Sequence, residues 1–325
     1  MARSIVRFTS GGNIRWGVLH GPPPETSTAP AVVAPLATSA VTTADLLTAL
    51  ANGCPEEPAR TVVGQSFLSP VTTDAQLVCQ GLNYRAHAEE AAHVHRRRNL
   101  VFSKAASSLA GAFDPILRPG EVQLLDYEVE IGVVIGGCLD RNTQVGADTL
   151  GDYVAGVVLC NDVSARDVMF GASFMQWFHG KSFRGFCPCG PVLILLDRDE
   201  VVPTLANLRI ELSVNGEQRQ TADTSQLIFP PGQTLTELSA WLDLKPGDLL
   251  LTGTPGGVTA TASAEFVDAL RTHLFDDDAR LDATRRELTR GRPYLQPGDR
   301  ITASLADLRD GRLLAAHDST ITGTV

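Results

Sequence analysis

The sequence predicts an α+β fold that is mainly β, a mixed β-sandwich or roll with a small N-terminal domain. Between residues 76 and 258, short runs of β-branched residues alternate with turns that contain Gly or Pro. Few amphipathic helices interrupt these runs, whereas a parallel βαβ array would need one after each strand. A chain of 325 residues is long enough for one large domain or two modest ones with a full core.

Residues 1–72 are predicted to form the small N-terminal α/β domain. Residues 1–20 alternate in the manner of a β-hairpin around a turn at Ser10–Asn13. A helix is expected to begin at Thr43, its predicted N-cap, and to end before Gly53. The boundary falls in the sequence LSPVTTDA, so residues 73–325 are assigned to the main, β-rich domain.

Residues 260–291 interrupt the strand pattern with a charged segment rich in Ala, Leu and Arg, which predicts a helical insertion. The acids Asp276–Asp278 are interpreted as residues of a helix start, where carboxylates favour the positive end of the helix dipole. An apolar stripe at close to helical spacing must pack on something. We expect a dimer contact, with a lid over a pocket as the alternative. The stripe is Phe266, Leu270, Leu274 and Leu281.

The composition excludes several classes of protein. A net charge of −10 and a pI near 5.2 argue against a nucleic-acid-binding surface. No stretch approaches the roughly 20 apolar residues of a membrane span, and the first residues lack a signal-peptide pattern. The six cysteines show no zinc-like spacing, so reduced thiols are expected. These features predict a cytoplasmic protein without nucleic-acid or membrane partners.

Three acids, Asp126, Glu128 and Glu130, lie two residues apart in the sequence LLDYEVEIGVVIGG. In a strand this spacing places them on one face, opposite an apolar face. Like charges on one face repel, and burying a single one costs several kcal/mol. Asp162 follows another predicted buried strand, where a carboxylate can project into a site. The pattern therefore requires a positive charge opposite the acids.

Two sources of that charge are open. Glu128, Glu130 and Asp162 offer three hard oxygen ligands, a set that suits Mg²⁺ or Mn²⁺ better than Zn²⁺ and that Ca²⁺ can occupy in crystals. Alternatively, the acids pair with some of the many arginines on a solvated sheet face. Beside Asp162, Ser164 followed by Asp167 predicts a capping box at the start of a short helix.

Seven stretches of the sequence resemble the fumarylacetoacetate hydrolase superfamily and follow one another in the order found in that superfamily. The resemblance covers residues 76–258 closely and residues 295–325 loosely. It implies the β-roll of that superfamily, with a divalent cation on Glu128, Glu130 and Asp162 and with Asp126 behind these ligands. The stretches are GLNYRAHAEE (81–90), FSKAASSLAG (102–111), LDYEVEIGVVIG (125–136), YVAGVVLCNDVSARD (153–167), GKSFRGFCPCGPVL (180–193), VNGEQRQTADTSQLIF (214–229) and LKPGDLLLTGTPGGV (244–258).

The resemblance also implies the roles of other residues. His87 and Glu90, three apart on a short helix, are expected to act as a general base and the group that orients it. Lys181 is expected to contact the developing enolate or carboxylate of the substrate. Lysine is rare in this chain, 3 of 27 basic residues, which agrees with a specific amine at position 181. The expected substrate contacts are Thr254, Lys104, Arg166 and Tyr84.

The function that the resemblance implies is metal-dependent hydrolysis of a C–C bond in a β-diketo acid or acylpyruvate-like substrate. His87 and Glu90 would activate water, while the metal and Lys181 would stabilise the enolate. The alternatives are a decarboxylase of the oxaloacetate type, a hydratase or an isomerase of small keto acids, and a non-catalytic binding protein. A small anionic keto acid and a second copy in a homodimer are the expected partners. Met169, where many relatives place a substrate-binding glutamine, indicates a less polar pocket wall.

Overall fold

The computed structural model describes residues 2–90, 97–261 and 263–323. These residues form a thirteen-stranded sheet, a five-stranded sheet, a two-stranded sheet and several short helices. The fold is therefore α+β and mainly β, as the sequence predicts. Within the described ranges, no helix combines the length and the apolar character needed to cross a membrane.

The strands and helices are short, as the frequent turn residues indicate. The strands are β1 (Arg3–Ser10), β2 (Asn13–His20), β3 (Pro30–Pro35), β4 (Arg60–Val63), β5 (Phe67–Leu68), β6 (Leu77–Gly81), β7 (Leu100–Lys104), β8 (Leu109–Gly111), β9 (Ile116–Arg118), β10 (Leu125–Asp126), β11 (Val129–Ile135), β12 (Val154–Asn161), β13 (Ser164–Ala165), β14 (Cys187–Cys189), β15 (Val192–Leu195), β16 (Leu208–Val214), β17 (Glu217–Asp223), β18 (Leu249–Leu251), β19 (Arg300–Asp307) and β20 (Arg312–Gly323). The helices are α1 (Thr43–Ala51), α2 (Arg85–Glu90), α3 (Leu150–Tyr153), α4 (Arg166–Gly171), α5 (Trp177–Lys181), α6 (Val201–Leu205), α7 (Pro231–Ser239), α8 (Ala264–Thr272) and α9 (Asp277–Leu288).

The thirteen-stranded sheet joins the N-terminal region to the rest of the chain. Its main path is β4-β3-β2-β1-β15-β12-β11-β18-β6-β7. The hairpin β1–β2 forms as predicted, with Ser10 opposite Asn13, and β1 pairs on its other side with β15. The sheet thus continues across the boundary expected at 72/73, which stays a prediction.

The N-cap of helix α1 lies one residue before the predicted cap. Thr42 is the N-cap and forms a capping box with Asp45, which satisfies both residues' backbone N–H groups. Thr43 is buried instead, and its hydroxyl donates to the carbonyl of Pro70. The assignment of Thr43 as N-cap is therefore wrong, because this side chain packs against a neighbouring loop.

The five-stranded sheet, in the order β17-β16-β19-β20-β9, packs against the large sheet through β16 on β11 and β20 on β12. In β16 every second residue is buried, from Leu208 to Val214, so one face of the strand covers the core. Ile210 of β16 and Val133 of β11 belong to the same buried apolar cluster. The main core therefore lies between the two sheets.

Strands β11 and β12 position the site. Both are buried along their whole length, which explains their near-continuous apolar sequences. Their antiparallel register sets Val129 opposite Asn161 and Glu130 opposite Cys160. The start of β11 therefore lies beside the residues that follow β12, and this pairing brings Glu128, Glu130 and Asp162 together.

The segment 260–291 contains α8 and α9, which lie next to α4. The side chain of Asp276 caps α9 by accepting the backbone N–H of Ala279 at 3.0 Å, and two more acids occupy the first turn. The interpretation of Asp276–Asp278 as a helix start is confirmed.

Candidate active site

Three buried carboxylates meet where β11 begins and β12 ends. One oxygen from each of Glu128, Glu130 and Asp162 lies within 4.8 Å of the other two. At most 5% of each residue is exposed to solvent. The structure therefore excludes the solvated sheet face that the sequence left open for these acids.

Lys181, the last residue of α5, lies between two of the acids. Its ammonium donates to Glu128 Oε2 at 2.8 Å, to Asp162 Oδ2 at 2.7 Å and to Ser164 Oγ at 2.8 Å. Burial alone would lower the pKa of Lys181, but the carboxylates of Asp162 and Glu128 raise it above its usual value. The amine therefore stays protonated at neutral pH.

Lys104 is a second buried amine, on β7. It donates to Asp162 Oδ1 and, at 2.9 Å, to the carbonyl of Phe186. Its side chain has no exposed surface, so it lies behind Asp162 and away from the cavity described below. Its role here is to balance the charge of Asp162, and substrate contact by Lys104 stays a prediction.

Arg166 pairs with two of the acids, Asp126 and Glu128. Its Nε donates to Asp126 Oδ2 at 2.9 Å, and its Nη2 lies 2.7 Å from Glu128 Oε1. Asp126 also accepts the backbone N–H groups of Thr259 and Ala260, each at 3.0 Å. Asp126 is therefore occupied by Arg166 and the backbone, in agreement with its expected place behind the metal ligands.

The capping box predicted from Ser164 and Asp167 does not form. Helix α4 begins after Ala165 without a side-chain cap. Asp167 instead accepts the backbone N–H of Gln123 at 2.8 Å and pairs with Arg285 of α9 at 3.2 Å. The prediction is wrong because tertiary partners hold Asp167, while the Ser164 hydroxyl accepts from Lys181.

The carboxylates differ in how their charges are balanced. Burial would raise the pKa of Glu128, yet Lys181 and Arg166 hold it at about 2. For Glu130, burial and the charges of Asp162 and Glu128 raise the pKa well above its usual value. Glu130 is thus the acid whose negative charge the surrounding protein compensates least.

The donor set fits a hard divalent cation. Three carboxylates supply oxygen ligands, which Mg²⁺, Mn²⁺ and Ca²⁺ prefer. An ionised carboxylate offers about four lone-pair sites, so the N–H donors leave acceptor capacity free. The acids also outnumber their described cationic partners by one. The acids are Asp126, Glu128, Glu130 and Asp162, and the cations are Lys104, Lys181 and Arg166.

Helix α2 carries the expected His–Glu pair. His87 Nδ1 lies 3.4 Å from Glu90 Oε2, because residues three apart share a helix face. Glu90 Oε1 accepts the backbone N–H of Gly257 at 3.1 Å. The hydrogen bond with His87 is the main cause that lowers the pKa of Glu90. Glu90 therefore stays ionised and fixes the orientation of the imidazole.

The remaining predicted contacts divide between the cavity and the core. Thr254 lines the cavity, donates to the carbonyl of Val129 at 2.9 Å and accepts from Gln220 Nε2 at 2.8 Å. Tyr84 lies wholly inside the core, where burial and the nearby Glu130 raise the pKa of its phenol. Substrate contact by Tyr84 stays a prediction.

Two polar residues that the sequence did not single out hold the site in place. The Asn161 side chain accepts the backbone N–H of Glu128 at 2.9 Å. Gln220 accepts the backbone N–H of Val129 at 3.0 Å and donates to Thr254. Asn161 could have been found from its position next to Asp162. Gln220 had no local signal, because it lies on a strand of the other sheet.

A cavity of about 850 Å³ opens beside the acid cluster, and Glu128 is the member of the cluster that lines it. His87, Glu128, Arg166, Lys181 and Thr254 contribute polar groups to it. Much of the remaining wall is apolar, and Met169 belongs to it as the sequence indicated. The main apolar residues of the wall are Leu82, Leu100, Phe102, Met169, Phe170, Phe174, Met175, Trp177, Phe266, Val267, Leu270 and Leu274.

The apolar stripe of the insertion faces its own chain. Phe266, Leu270 and Leu274 line the cavity, and a methyl group added at Gly171 of α4 would lie 2.6 Å from Leu281 Cδ1. Leu281 therefore packs closely on α4. Three of the four side chains thus line the cavity and the fourth packs on α4, which is the arrangement of a lid, and a dimer contact by this stripe stays a prediction.

Comparisons with known proteins agree with these features. The sequence model of the family described as Fumarylacetoacetate (FAA) hydrolase C-terminal matches residues 76–313. The chain is 41% identical over 210 residues to the Bos taurus protein "Oxaloacetate tautomerase FAHD2A, mitochondrial". That match covers 65% of this chain and 64% of the relative, so it spans just under two thirds of the relative's length.

Solved structures resemble the whole chain. A probable 2-hydroxyhepta-2,4-diene-1,7-dioate isomerase from Mycobacterium abscessus superimposes with a TM-score of 0.69 at 28% identity, covering 100% of both chains. A fumarylacetoacetate hydrolase from psychrophilic Exiguobacterium antarcticum superimposes with a TM-score of 0.70 at 26% identity, covering 99% of this chain and 100% of that one. Similar proteins thus carry isomerase and hydrolase names.

Proposed function

The chain belongs to the fumarylacetoacetate hydrolase family, and we propose that it is a divalent-metal-dependent enzyme that interconverts the keto and enol forms of a β-keto acid. The observation that carries the proposal is that the His87–Glu90 pair lines the same cavity as Glu128, one of the three clustered acids. A keto–enol isomerisation needs one group that moves a proton and one site that stabilises negative charge, and this cavity offers both.

The cation would be held by Glu128, Glu130 and Asp162, and Mg²⁺ or Mn²⁺ is the proposed occupant. When bound, a divalent cation supplies Lewis-acid polarisation of a carbonyl and stabilises the charge of an enolate. Lys181 and Arg166 hold Glu128 in place and add positive charge at the polar end of the cavity. They would therefore also attract the carboxylate of the substrate.

His87 is the proposed proton-transfer group. Since Nδ1 faces Glu90, Nε2 is the ring nitrogen that can take a proton from the carbon between the two carbonyls. Return of that proton to oxygen completes the isomerisation, and no atom is gained or lost. The relative named oxaloacetate tautomerase supports this reaction class.

Hydrolysis of a C–C bond is the second candidate. A histidine oriented by a carboxylate is also the arrangement that activates water for attack on a carbonyl. Decarboxylation would need the charge-stabilising end of the site alone. The name of the Exiguobacterium antarcticum structure supports the hydrolytic alternative.

Proton NMR in D₂O separates these reactions. Oxaloacetate and acetylpyruvate would be incubated with enzyme and Mg²⁺, with Mg²⁺ alone as the control because the free ion also promotes enolisation. Deuterium entering the carbon between the carbonyls above the control rate, with the carbon skeleton intact, is the expected result. Two shorter products would indicate hydrolysis, and pyruvate from oxaloacetate would indicate decarboxylation. No reaction above the control with either substrate would overturn the proposal.

Assembly and compartment are proposals as well. We propose a homodimer in the cytoplasm, although the Bos taurus relative is named as mitochondrial. Light scattering of the purified chain measures the oligomeric state, and fractionation of the source cells shows the compartment.

A further inference from the structure

The cavity beside the acids is larger than a four-carbon keto acid requires. Its volume of about 850 Å³ lies within the roughly 300–1,000 Å³ of pockets that enclose drug-sized ligands. We propose that the substrate carries a bulky apolar acyl arm, alkyl or aryl, which the apolar wall of this cavity binds. The inference rests on the proposed function, because the keto-acid head is placed at the acids.

The apolar wall begins directly beside the charged end. The ammonium of Lys181 lies 5.1 Å from the centroid of the Phe102 ring. Phe102 in turn meets Trp177 edge to face, with ring centroids 5.1 Å apart. A ligand whose head lies at Lys181 therefore meets aromatic rings as soon as its chain leaves the head.

The insertion supplies the facing part of the wall. Phe266 meets Phe170 of α4 edge to face, with centroids 5.5 Å apart, and is itself buried. Val267, Leu270 and Leu274 are only partly buried, although they line the cavity. These three side chains keep apolar surface that a ligand can remove from water, which is the source of affinity for an apolar arm.

A second carboxylate at the end of the arm is disfavoured. The buried arginine on this wall, Arg280, already donates from Nε to the carbonyl of Phe170 at 2.7 Å and from Nη1 to that of Leu270 at 2.6 Å. Arg98 and Arg271 also border the cavity, but both are exposed to water. Among the described residues, a carboxylate on the part of this wall away from these three arginines would lose its hydration without a partner.

Inert analogues test the arm without relying on turnover. N-alkyl oxamates share the head of an α-keto acid, and their arm can be lengthened from methyl to hexyl. Calorimetry with Mn²⁺ present would measure their affinities. We expect about a fourfold gain for each added methylene, the equivalent of about 0.8 kcal/mol per buried CH₂. An oxamate with a carboxylate at the end of an equally long arm should bind more weakly than the alkyl compound.

Leu274→Gln is the variant that tests the wall. Leu274 lies in the turn between α8 and α9 and is only partly buried, so a polar side chain is compatible with folding. The ratio of hexyl to methyl affinity should fall at least tenfold. Leu117→Gln is the matched control, because Leu117 is 44% exposed on β9 and outside the cavity wall. The ratio should stay unchanged in that control.

The outcomes separate this inference from the proposed reaction. The inference of an apolar arm is overturned by any of three results. These are affinity that does not rise with arm length, tighter binding of the oxamate whose arm ends in a carboxylate, and no binding of any oxamate. A change in association of Leu274→Gln by light scattering, with the arm preference intact, overturns it too. If acylpyruvates are turned over at rates that do not depend on arm length, the proposed reaction is supported and the inference of an apolar arm is overturned. Arm-dependent binding without turnover of any keto acid supports the arm and overturns the reaction.

Discussion

The Glu130 carboxylate accepts the backbone N–H of Gly253 at 2.7 Å. Gly253 has a φ of +89°, and a Cβ at this position would lie 2.8 Å from Cβ of Asn83, so the turn requires glycine. Among the ion pairs of the described residues, Lys181, Lys104 and Arg166 bind the other acids and none binds Glu130. The turn at Gly253 therefore fixes the position of the Glu130 carboxylate, and this carboxylate is the proposed metal ligand that no described Lys or Arg pairs with.

Glu130→Gln should change stability in opposite directions with and without metal. In a chelator, the variant should be at least as stable as the wild type, because it removes a carboxyl group whose ionised form is disfavoured by burial and by the charges of Asp162 and Glu128. In millimolar Mg²⁺, the wild type is expected to show a rise in Tm, and the variant should lose it. Thermal unfolding in both buffers measures this. Glu211→Gln on β16 is the control, and a Mg²⁺-dependent rise that survives in Glu130→Gln contradicts the account.

His87→Ala should reduce turnover by about 10²–10⁴-fold, the usual contribution of a general acid–base group. Its affinity for Mn²⁺ should hardly change, because His87 is not among the clustered ligands. Steady-state kinetics and calorimetry measure the two quantities. Glu89→Gln on the exposed side of the same helix should leave both unchanged. Near wild-type turnover in His87→Ala would mean that the pair is not used.

Asp126→Asn should weaken Mn²⁺ binding by about 10–100-fold, the range for residues that orient metal ligands. The physical reason is that Arg166 pairs with both Asp126 and Glu128. Without the Asp126 carboxylate, Arg166 would pair with Glu128 alone and would compete with the metal for that ligand. Calorimetric Kd values for Mn²⁺ measure the effect. The exposed substitution Asp278→Asn is the control, and equal Kd values in Asp126→Asn and the wild type would refute this role.

His317 should make the fold sensitive to mild acid. It is buried on β20 and its Nε2 lies 3.0 Å from the carbonyl of Gly190, and burial lowers its pKa to about 4. The unfolded chain, with a pKa near 6.5, binds the proton more readily, so stability present above pH 6.5 is lost as the pH falls towards 4. The expected loss between pH 7 and 5 is about 2 kcal/mol.

Urea unfolding at pH 7 and pH 5 measures that loss. His317→Gln should be less stable than the wild type at pH 7, yet its stability should fall by about 2 kcal/mol less on going to pH 5. His20→Gln is the control, because His20 is largely exposed. Equal pH dependence in His317→Gln and the wild type would contradict the assignment.

Features that depend on short spacings could be predicted from the sequence. The strand period placed Glu128 and Glu130 on one face, and the end of an apolar run placed Asp162 beside them. The helix period likewise joined His87 to Glu90. In each case the residues that meet lie on one element or at the end of an adjacent strand.

Features that depend on distant partners could not be predicted. Ser164 and Asp167 have the spacing of a capping box, yet Lys181 and Arg285 bind them, since tertiary contacts override a local preference. The spacing of the apolar stripe on the insertion predicted a helix with one apolar face, but it did not predict which part of the protein that face contacts. That it faces the cavity follows from the packing of α8 and α9 on α4.

The most direct test of the central claim is an anomalous difference map from crystals of the chain grown with Mn²⁺. We predict a peak at which Glu128, Glu130 and Asp162 all supply oxygen ligands, and the loss of that peak in Glu130→Gln. A wild-type map without a peak at these three carboxylates, or with Mn²⁺ bound elsewhere only, would contradict the account.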